Sequence, residues 1–389
     1  MVLWIEKNQC TGCASCANIC PVNAIEMQSD SNGFEYPVID KNVCIHCKAC
    51  EQTCLKRMSK ENGNHTIPKT YAAWSREEDI RFHSTSGGAF SELAKVILQK
   101  DGVVIGAEYE KENLVRHIVI KHTNELKKIR QSKYIQSSMG YVFREIKNYL
   151  NSGKSVVFCG CPCQVSGLYT YLEKEYSNLV TIDFICRGVN SPKAYKAWLS
   201  EIEKNMGSKV VKVWFKYKKE GWKKSPRCTR IDFENGESLV FEQKDNLFME
   251  GYLSYNLYMR PCCGECQFKG IPRRADITLA DFWGLEKKLD DDKGASMILL
   301  NNRRGEELFE QAKPQMKVFE RNFYEIFKGN TYFDKSVKIS DKSLDFLREL
   351  DTKPFSKVLK KYTYIPIYKK IRKKLKNFFA DKLIIFTLL

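Results

Sequence analysis

Histidine is scarce in this chain, with five copies in 389 residues. No apolar run reaches the roughly 18 residues that a membrane-crossing helix needs. The second absence excludes a membrane span. The first limits acid–base chemistry, because His46, His65, His83, His117 and His122 form no catalytic constellation. His46 reads as a spacer inside a cysteine loop, and only His83, which borders a Ser/Thr-rich loop, is worth testing. Neither a G-x-G-x-x-G fingerprint nor a Walker A loop occurs, so a Rossmann NAD site and an ATPase have no support. The opening Met1-Val-Leu-Trp-Ile-Glu6 lacks the pattern of a secretory signal. That points to a reducing, cytoplasmic setting in which thiols persist for metal binding.

Cysteine, by contrast, is abundant, with 16 copies, eight of them in the first 54 residues. These eight form two runs, Cys10-x2-Cys13-x2-Cys16-x3-Cys20 followed by Pro21, and Cys44-x2-Cys47-x2-Cys50-x3-Cys54 followed by Leu55. Both match the ligand run of two-cluster ferredoxins, in which the fourth cysteine serves the other cluster. Three thiolates on one tight loop cap three irons of a cube, and the chain then leaves toward the second cube. One 4Fe-4S cluster therefore takes Cys10, Cys13, Cys16 and Cys54, and the other Cys44, Cys47, Cys50 and Cys20. Zinc sites more often pair two cysteines with two distant ligands, and a disulfide framework needs an oxidising compartment.

Length leaves room for two or three domains. Residues 1–60 form the two-cluster domain, with strands expected at Trp4–Glu6 and Ala24–Met27, and 59–69 read as a linker. Residues 70–345 alternate helix and strand, with parts 70–150 and 151–345, which argues an α/β body with a mixed sheet. The fold class is thus an α+β ferredoxin-like domain followed by that body. Expected strands are 103–107, 117–120, 155–159, 180–185, 210–217, 230–233, 238–241, 277–280 and 296–300, with Asn235-Gly236 as a hairpin turn. Residues 346–389 are basic. From Lys353 onward eleven Lys or Arg face one Asp, which places about ten of the 17 excess positive charges here. The tail suits an amphipathic helix on an anionic bilayer or, equally, a helix packed on its own protein. Nucleic acid is not expected as a partner.

Of the other eight cysteines, Cys159, Cys161 and Cys163 end one expected strand and Cys186 ends the next, so they face one crevice. Cys263-x-x-Cys266 adds a chelating pair, and Cys163 meets a helix N-terminus, where the dipole favours a thiolate. Three readings stay open: a third metal centre on Cys163, Cys186, Cys263 and Cys266; buried structural cysteines with a zinc knuckle at 262–266; and a redox-active disulfide among Cys159, Cys161 and Cys163. The Ser84-Thr85-Ser86-Gly87-Gly88 loop, entering a helix, is suited to a pyrophosphate if its N–H groups and hydroxyls point outward.

Five segments, in order along residues 70–285, resemble the coenzyme F420 hydrogenase/dehydrogenase beta-subunit family, in its subgroup with an N-terminal ferredoxin domain. They are Ser84–Phe90, Ser132–Ser137, Phe158-Cys-Gly-Cys-Pro-Cys-Gln-Val-Ser-Gly-Leu168, Asp183–Pro192, and Cys263-Gly-Glu-Cys266 with Arg274–Gly284. The resemblance implies FAD in the body and a third 4Fe-4S cluster beside it, with Cys163 as the family's cysteine and Cys159, Cys161, Cys228 and Cys262 outside the pattern. It implies flavin contacts from the 84–88 loop, Lys133, Tyr134, Gln136 and Ser137. Arg187 and Asp281 would polarise the flavin ring or pair with each other. The implied activity is an FAD-dependent iron–sulfur oxidoreductase exchanging electrons between a hydride partner and ferredoxin or another redox protein. The alternatives are an electron-transfer subunit without its own substrate and a membrane-peripheral accessory protein of polysaccharide biosynthesis.

Overall fold

The computed structural model describes residues 5–57, 66–242 and 245–364. At the N-terminus β1 (Ile25–Ser29) and β2 (Glu35–Ile39) form an antiparallel hairpin. Each cysteine run turns into a short helix, Ser15–Ile19 and Ala49–Gln52. The sequence repeat is visible in the backbone. Gly12 and His46 (φ 69° and 55°) and Ala14 and Lys48 (φ 61° and 62°) occupy matching left-handed positions. Non-glycine residues hold such angles only where the surroundings enforce them; His46 shapes its loop. The strand expected at Trp4–Glu6 is not formed at its described residues, Ile5 and Glu6. The partner of β1 is β2 instead, whose Pro37 is tolerated because each strand of a two-stranded hairpin is an edge.

The body is built on nine strands: β3 (Lys69–Ser75), β4 (Val103–Tyr109), β5 (Val115–Ile120), β6 (Ser137–Ser138), β7 (Val156–Cys159), β8 (Leu179–Phe184), β12 (Ile277–Asp281), β13 (Ser296–Leu300) and β14 (Met316–Arg321). Their order is β14-β3-β13-β12-β8-β7-β4-β5-β6. The central four, β12, β8, β7 and β4, are parallel to one another. Side chains alternate between the faces. Ile105 and Phe158 meet helices Val142–Asn151 and Pro162–Leu172, while Val104 and Val157 meet helices Ala89–Leu98 and Arg303–Ala312. β3, β14 and helix Arg303–Ala312 were not expected from the sequence, and β3 begins at the last residue assigned to the linker.

β9 (Val210–Phe215), β10 (Thr229–Phe233) and β11 (Ser238–Phe241) form a separate antiparallel sheet rather than joining the large one, with the hairpin at Asn235–Gly236 as expected. An aromatic core of Trp198, Phe215, Phe248, Tyr258 and Phe346 backs it. The chain does not break at residue 345. Phe346, Leu347, Phe355, Val358 and Leu359 are buried in that same core, so the described part of the basic tail, helix Phe355–Thr363 included, is packed on the body. Most of the tail's charge falls on residues 365–389, outside the described residues.

Candidate functional site

β7 and β8 are adjacent and parallel, so their C-terminal ends open on one side. β7 runs through Gly160 and Cys161 into helix Pro162–Leu172, whose second residue is Cys163. β8 ends just before Cys186, and its Asp183 anchors the turn. Arg273 Nη2 donates to Asp183 Oδ2 at 2.9 Å and Thr278 Oγ1 to Oδ1 at 2.6 Å, with both charged side chains 2% exposed. Gly188 packs closely, since a Cβ would lie 3.1 Å from Cys263 Cβ and would displace the Met259 side chain. This draws the Cys186 turn against the Cys262–Cys266 loop.

The result is a cavity of about 230 Å³ whose body wall carries Cys161, Cys163, Cys186, Cys262, Cys263 and Cys266. Its opposite wall carries Cys10, Cys13, Cys16 and Cys54 of the N-terminal domain. These four are the residues the spacing assigns to one cluster; Cys20 packs with Cys44 and Cys50, and Cys16 reaches that group as well. Cys47 is exposed. Gly167 lets the helix after Cys163 approach the first loop, for a Cβ there would sit 2.9 Å from Cys13 Cβ. Among the described residues, no three His, Cys, Asp or Glu side chains converge on one point as a lone ion would need. The sulfurs line a cavity instead. The donor set fits iron–sulfur groups in kind.

Cys163 is not the thiol held toward the thiolate. Burial, then the neighbouring Cys186, pushes it well up despite the helix dipole. Cys186 instead is lowered to about 7, first by a hydrogen bond with Cys161, helped by Lys269 and Arg273. Cys161, which the resemblance leaves outside the pattern, lines the same wall. Cys159 lines the neighbouring cavity only, and Cys228 is buried in the second sheet beside β10.

A larger cavity of about 490 Å³ adjoins the first and shares Cys161, Cys163, Cys186 and Gly188 with it. The residues read as flavin contacts converge here except Gly87, and three of them leave buried donors without partners: Ser84 Oγ, Gln136 Nε2 and Arg187 Nε. The remainder of the 84–88 loop does not point outward as expected. The Thr85 hydroxyl donates to Ser132 Oγ at 3.1 Å, Ser86 Oγ donates to the Ala295 carbonyl at 2.5 Å, and the Gly87 N–H donates to Ser296 Oγ at 3.0 Å. Gly87 is needed for packing, since a Cβ would lie 2.3 Å from the Ala73 carbonyl. Lys133 is turned to the Arg130 and Gln131 carbonyls, and burial lowers it to about 7. Ser137 Oγ bonds His117 Nδ1 at 2.8 Å.

Arg187 and Asp281 do not pair with each other. Arg187 donates to Asn256 Oδ1 at 2.7 Å and lies over the Tyr332 ring, while Asp281 is bound to Lys216. Lys216 and Arg260 escaped the sequence reading, and His117 was set aside in it. Lys216 sits in a left-handed conformation (φ 55°) and also meets the Tyr134 hydroxyl. His117 lines the cavity, and its pKa is lowered to about 4 by burial. His83 does not line it: the ring stacks on Trp214 at 5.2 Å and bonds Asp79.

Three family models match the chain. Residues 70–144 match the N-terminal part and 153–323 the C-terminal part of the coenzyme F420 hydrogenase/dehydrogenase beta subunit, and residues 9–58 match a 4Fe-4S dicluster domain. The chain belongs to the coenzyme F420 hydrogenase/dehydrogenase beta-subunit family. The family is one of oxidoreductases, and residues 9–58 of this chain form its 4Fe-4S domain. An uncharacterised ferredoxin of Methanocaldococcus jannaschii is 32% identical over 50 residues, which are 13% of this chain and 64% of that protein. The chain thus spans just under two thirds of that curated relative. A chain of the F420-reducing NiFe hydrogenase complex from Methanosarcina barkeri, solved as a xenon derivative, overlays with a TM-score of 0.45 and 18% identity, over 78% of this chain and 94% of that one. Among the described residues of this chain, no helix is long and apolar enough to cross a membrane.

Proposed function

We propose that this protein is an FAD-dependent iron–sulfur oxidoreductase in which the 490 Å³ cavity holds the flavin and the adjoining cysteines hold a third 4Fe-4S cluster. The observation that carries the reading is the shared wall: Cys161, Cys163 and Cys186 face both cavities, and beyond them lie the Cys10 set and then the exposed Cys47. When bound there, FAD would supply exchange between two-electron hydride chemistry and one-electron transfer. The chain's part is to bind, orient and balance charge. Ser84, Gln136 and Arg187 offer donors that nothing else satisfies, which is costly unless a ligand accepts them. The lining holds Arg130, Lys133, Arg187 and Lys216 but a single carboxylate, Asp281, which Lys216 already pairs, and this excess of positive groups suits a phosphate-bearing or carboxylate-bearing ligand.

The ligand sets are Cys10, Cys13, Cys16 and Cys54; Cys20, Cys44, Cys47 and Cys50; and Cys163, Cys186, Cys263 and Cys266. At the surface, exposed Val43 and Ile45 flank the Cys47 loop, as an entry for ferredoxin or another redox protein. Anaerobic purification with iron, sulfide and flavin quantification tests the reading. About twelve irons and one FAD per chain are expected. About eight irons with one zinc would reject the third cluster, and flavin-free protein that takes up no added FAD would reject the cavity assignment. Reduction of the bound flavin by a small hydride donor supports an enzyme. Cycling only when a second protein is added would favour an electron-transfer subunit.

A further inference from the structure

Arg260 is fully buried, yet among the described residues no carboxylate forms an ion pair with it. Its guanidinium joins three parts of the molecule. Nε donates to the Cys10 carbonyl at 2.9 Å, Nη2 to the Glu35 carbonyl at 2.9 Å, and Nη1 to Gln136 Oε1 on the larger cavity's wall at 2.7 Å. The plane lies over the Tyr36 ring at 4.3 Å and covers Gly12, where a Cβ would meet its Cζ, Nη1 and Nη2 at 3.0 Å. The Cys10–Cys13 loop is thus built to receive this one side chain. The groups that feel its charge include Cys262, Cys10, Tyr36, Cys263 and the Glu35 carboxyl, and the three cysteines lie on the walls between the two domains.

A buried cation is costly unless an opposite charge balances it. Neutral carbonyls and an amide supply its hydrogen bonds; the Glu35 carboxyl feels the charge, but burial pushes that carboxyl up toward its neutral form and it makes no ion pair with Arg260. The cysteine side is where further negative charge can balance it, and the potential of an iron–sulfur group follows the charge and hydrogen bonding around its sulfurs. We infer that Arg260 raises the reduction potential of the cluster held by Cys10, Cys13, Cys16 and Cys54, making it the favoured electron site next to the body. The inference rests on the cluster reading above. Arg260 acts as a positioning residue: it docks the ferredoxin-like domain and biases its nearer cluster, while the farther set of Cys20, Cys44, Cys47 and Cys50 makes no contact with it.

The test is an EPR-monitored redox titration of the full chain under anaerobic conditions, with the nearer cluster identified by loss of its signal in Cys13→Ala. Arg260→Met should destabilise the reduced form of that cluster at least tenfold, a fall of 59 mV or more for a one-electron couple. The farther cluster should move by less than a third of that. Gln136→Glu sets a carboxylate against the guanidinium without disturbing the fold and should lower the same potential. Arg260→Lys should recover at least half of the loss. If Arg260→Met does not fold, Gln136→Glu still decides. Two ferredoxin-type signals with the nearer one unmoved in the folded variants would overturn the inference alone. Wild-type protein without two such signals would overturn the cluster reading and this inference together.

Discussion

Replacing Asp183 by alanine should leave Arg273 as a stranded charge beneath the Cys186 turn. The two side chains are 2% exposed, joined at 2.9 Å, and the second carboxylate oxygen takes Thr278 Oγ1 at 2.6 Å. The substitution removes two hydrogen bonds to a charged group, each worth about 1.5–3 kcal/mol. Breaking a buried pair from one side costs about 3–5 kcal/mol, so about 4 kcal/mol is expected. For a body of this size about 2–4 °C accompanies each kcal/mol, which gives a fall of about 8–16 °C in Tm. Removing both charges, as in Asp183→Leu with Arg273→Met, should stay within about 1 kcal/mol of the parent, because nothing unpaired remains. Thermal unfolding followed by near-UV circular dichroism, anaerobically and at one protein concentration, measures both. An alanine variant melting within about 2 °C of the parent, or a double variant as unstable as the single, would refute the reasoning.

Cys163→Ala and Cys186→Ala should each cost the protein about four irons, whereas Cys228→Ala, in the second sheet, should cost none; iron analysis of the three variants separates them. Ser84→Ala should weaken FAD binding about tenfold through loss of one hydrogen bond, read by equilibrium dialysis; unchanged affinity would remove that hydroxyl from the site. Burial holds the Lys133 and Lys218 ammonium groups at about 7, well under the usual value of about 10.4. Unfolding between these limits takes up protons, so stability should rise with pH from about 7 and level off as buried thiols, Cys159 among them, begin to oppose it near their ordinary value of about 8.5. Lys133→Met should flatten that rise in denaturant titrations at stepped pH, and an unaltered slope would count against the assignment.

The cysteine runs were legible because chelation spacing is local. A loop of seven residues decides which thiols can cap a cube, and its left-handed residues recur with the repeat. The alternating strands of the body, the Asn235–Gly236 turn and the shared strand-end crevice were legible for the same reason: hydrophobic period and turn chemistry act over a few residues. Two hydroxyls of the 84–88 loop were misjudged because distant segments take them: Ser132 takes Thr85, and the Ala295 carbonyl just before β13, 209 residues away, takes Ser86, while Ser84 stays free. Arg260 was invisible because its partners lie 250, 225 and 124 residues off, and no pattern marks a cation that will be buried without an acid. Lys216 likewise meets Asp281 only through the packing of the second sheet against the first.

What the amino-acid order determined by itself was the inventory: which sulfurs form sets, which segments make strands, and which family the chain resembles. Only the tertiary structure decided the arrangement, namely which cysteines face each other across the domain boundary, which donors are left unsatisfied toward a cavity, and which charge stands between them. The physical reason is range. Ligand spacing and backbone preference are settled within a loop, whereas burial and electrostatic pairing depend on groups that meet only after the chain has closed.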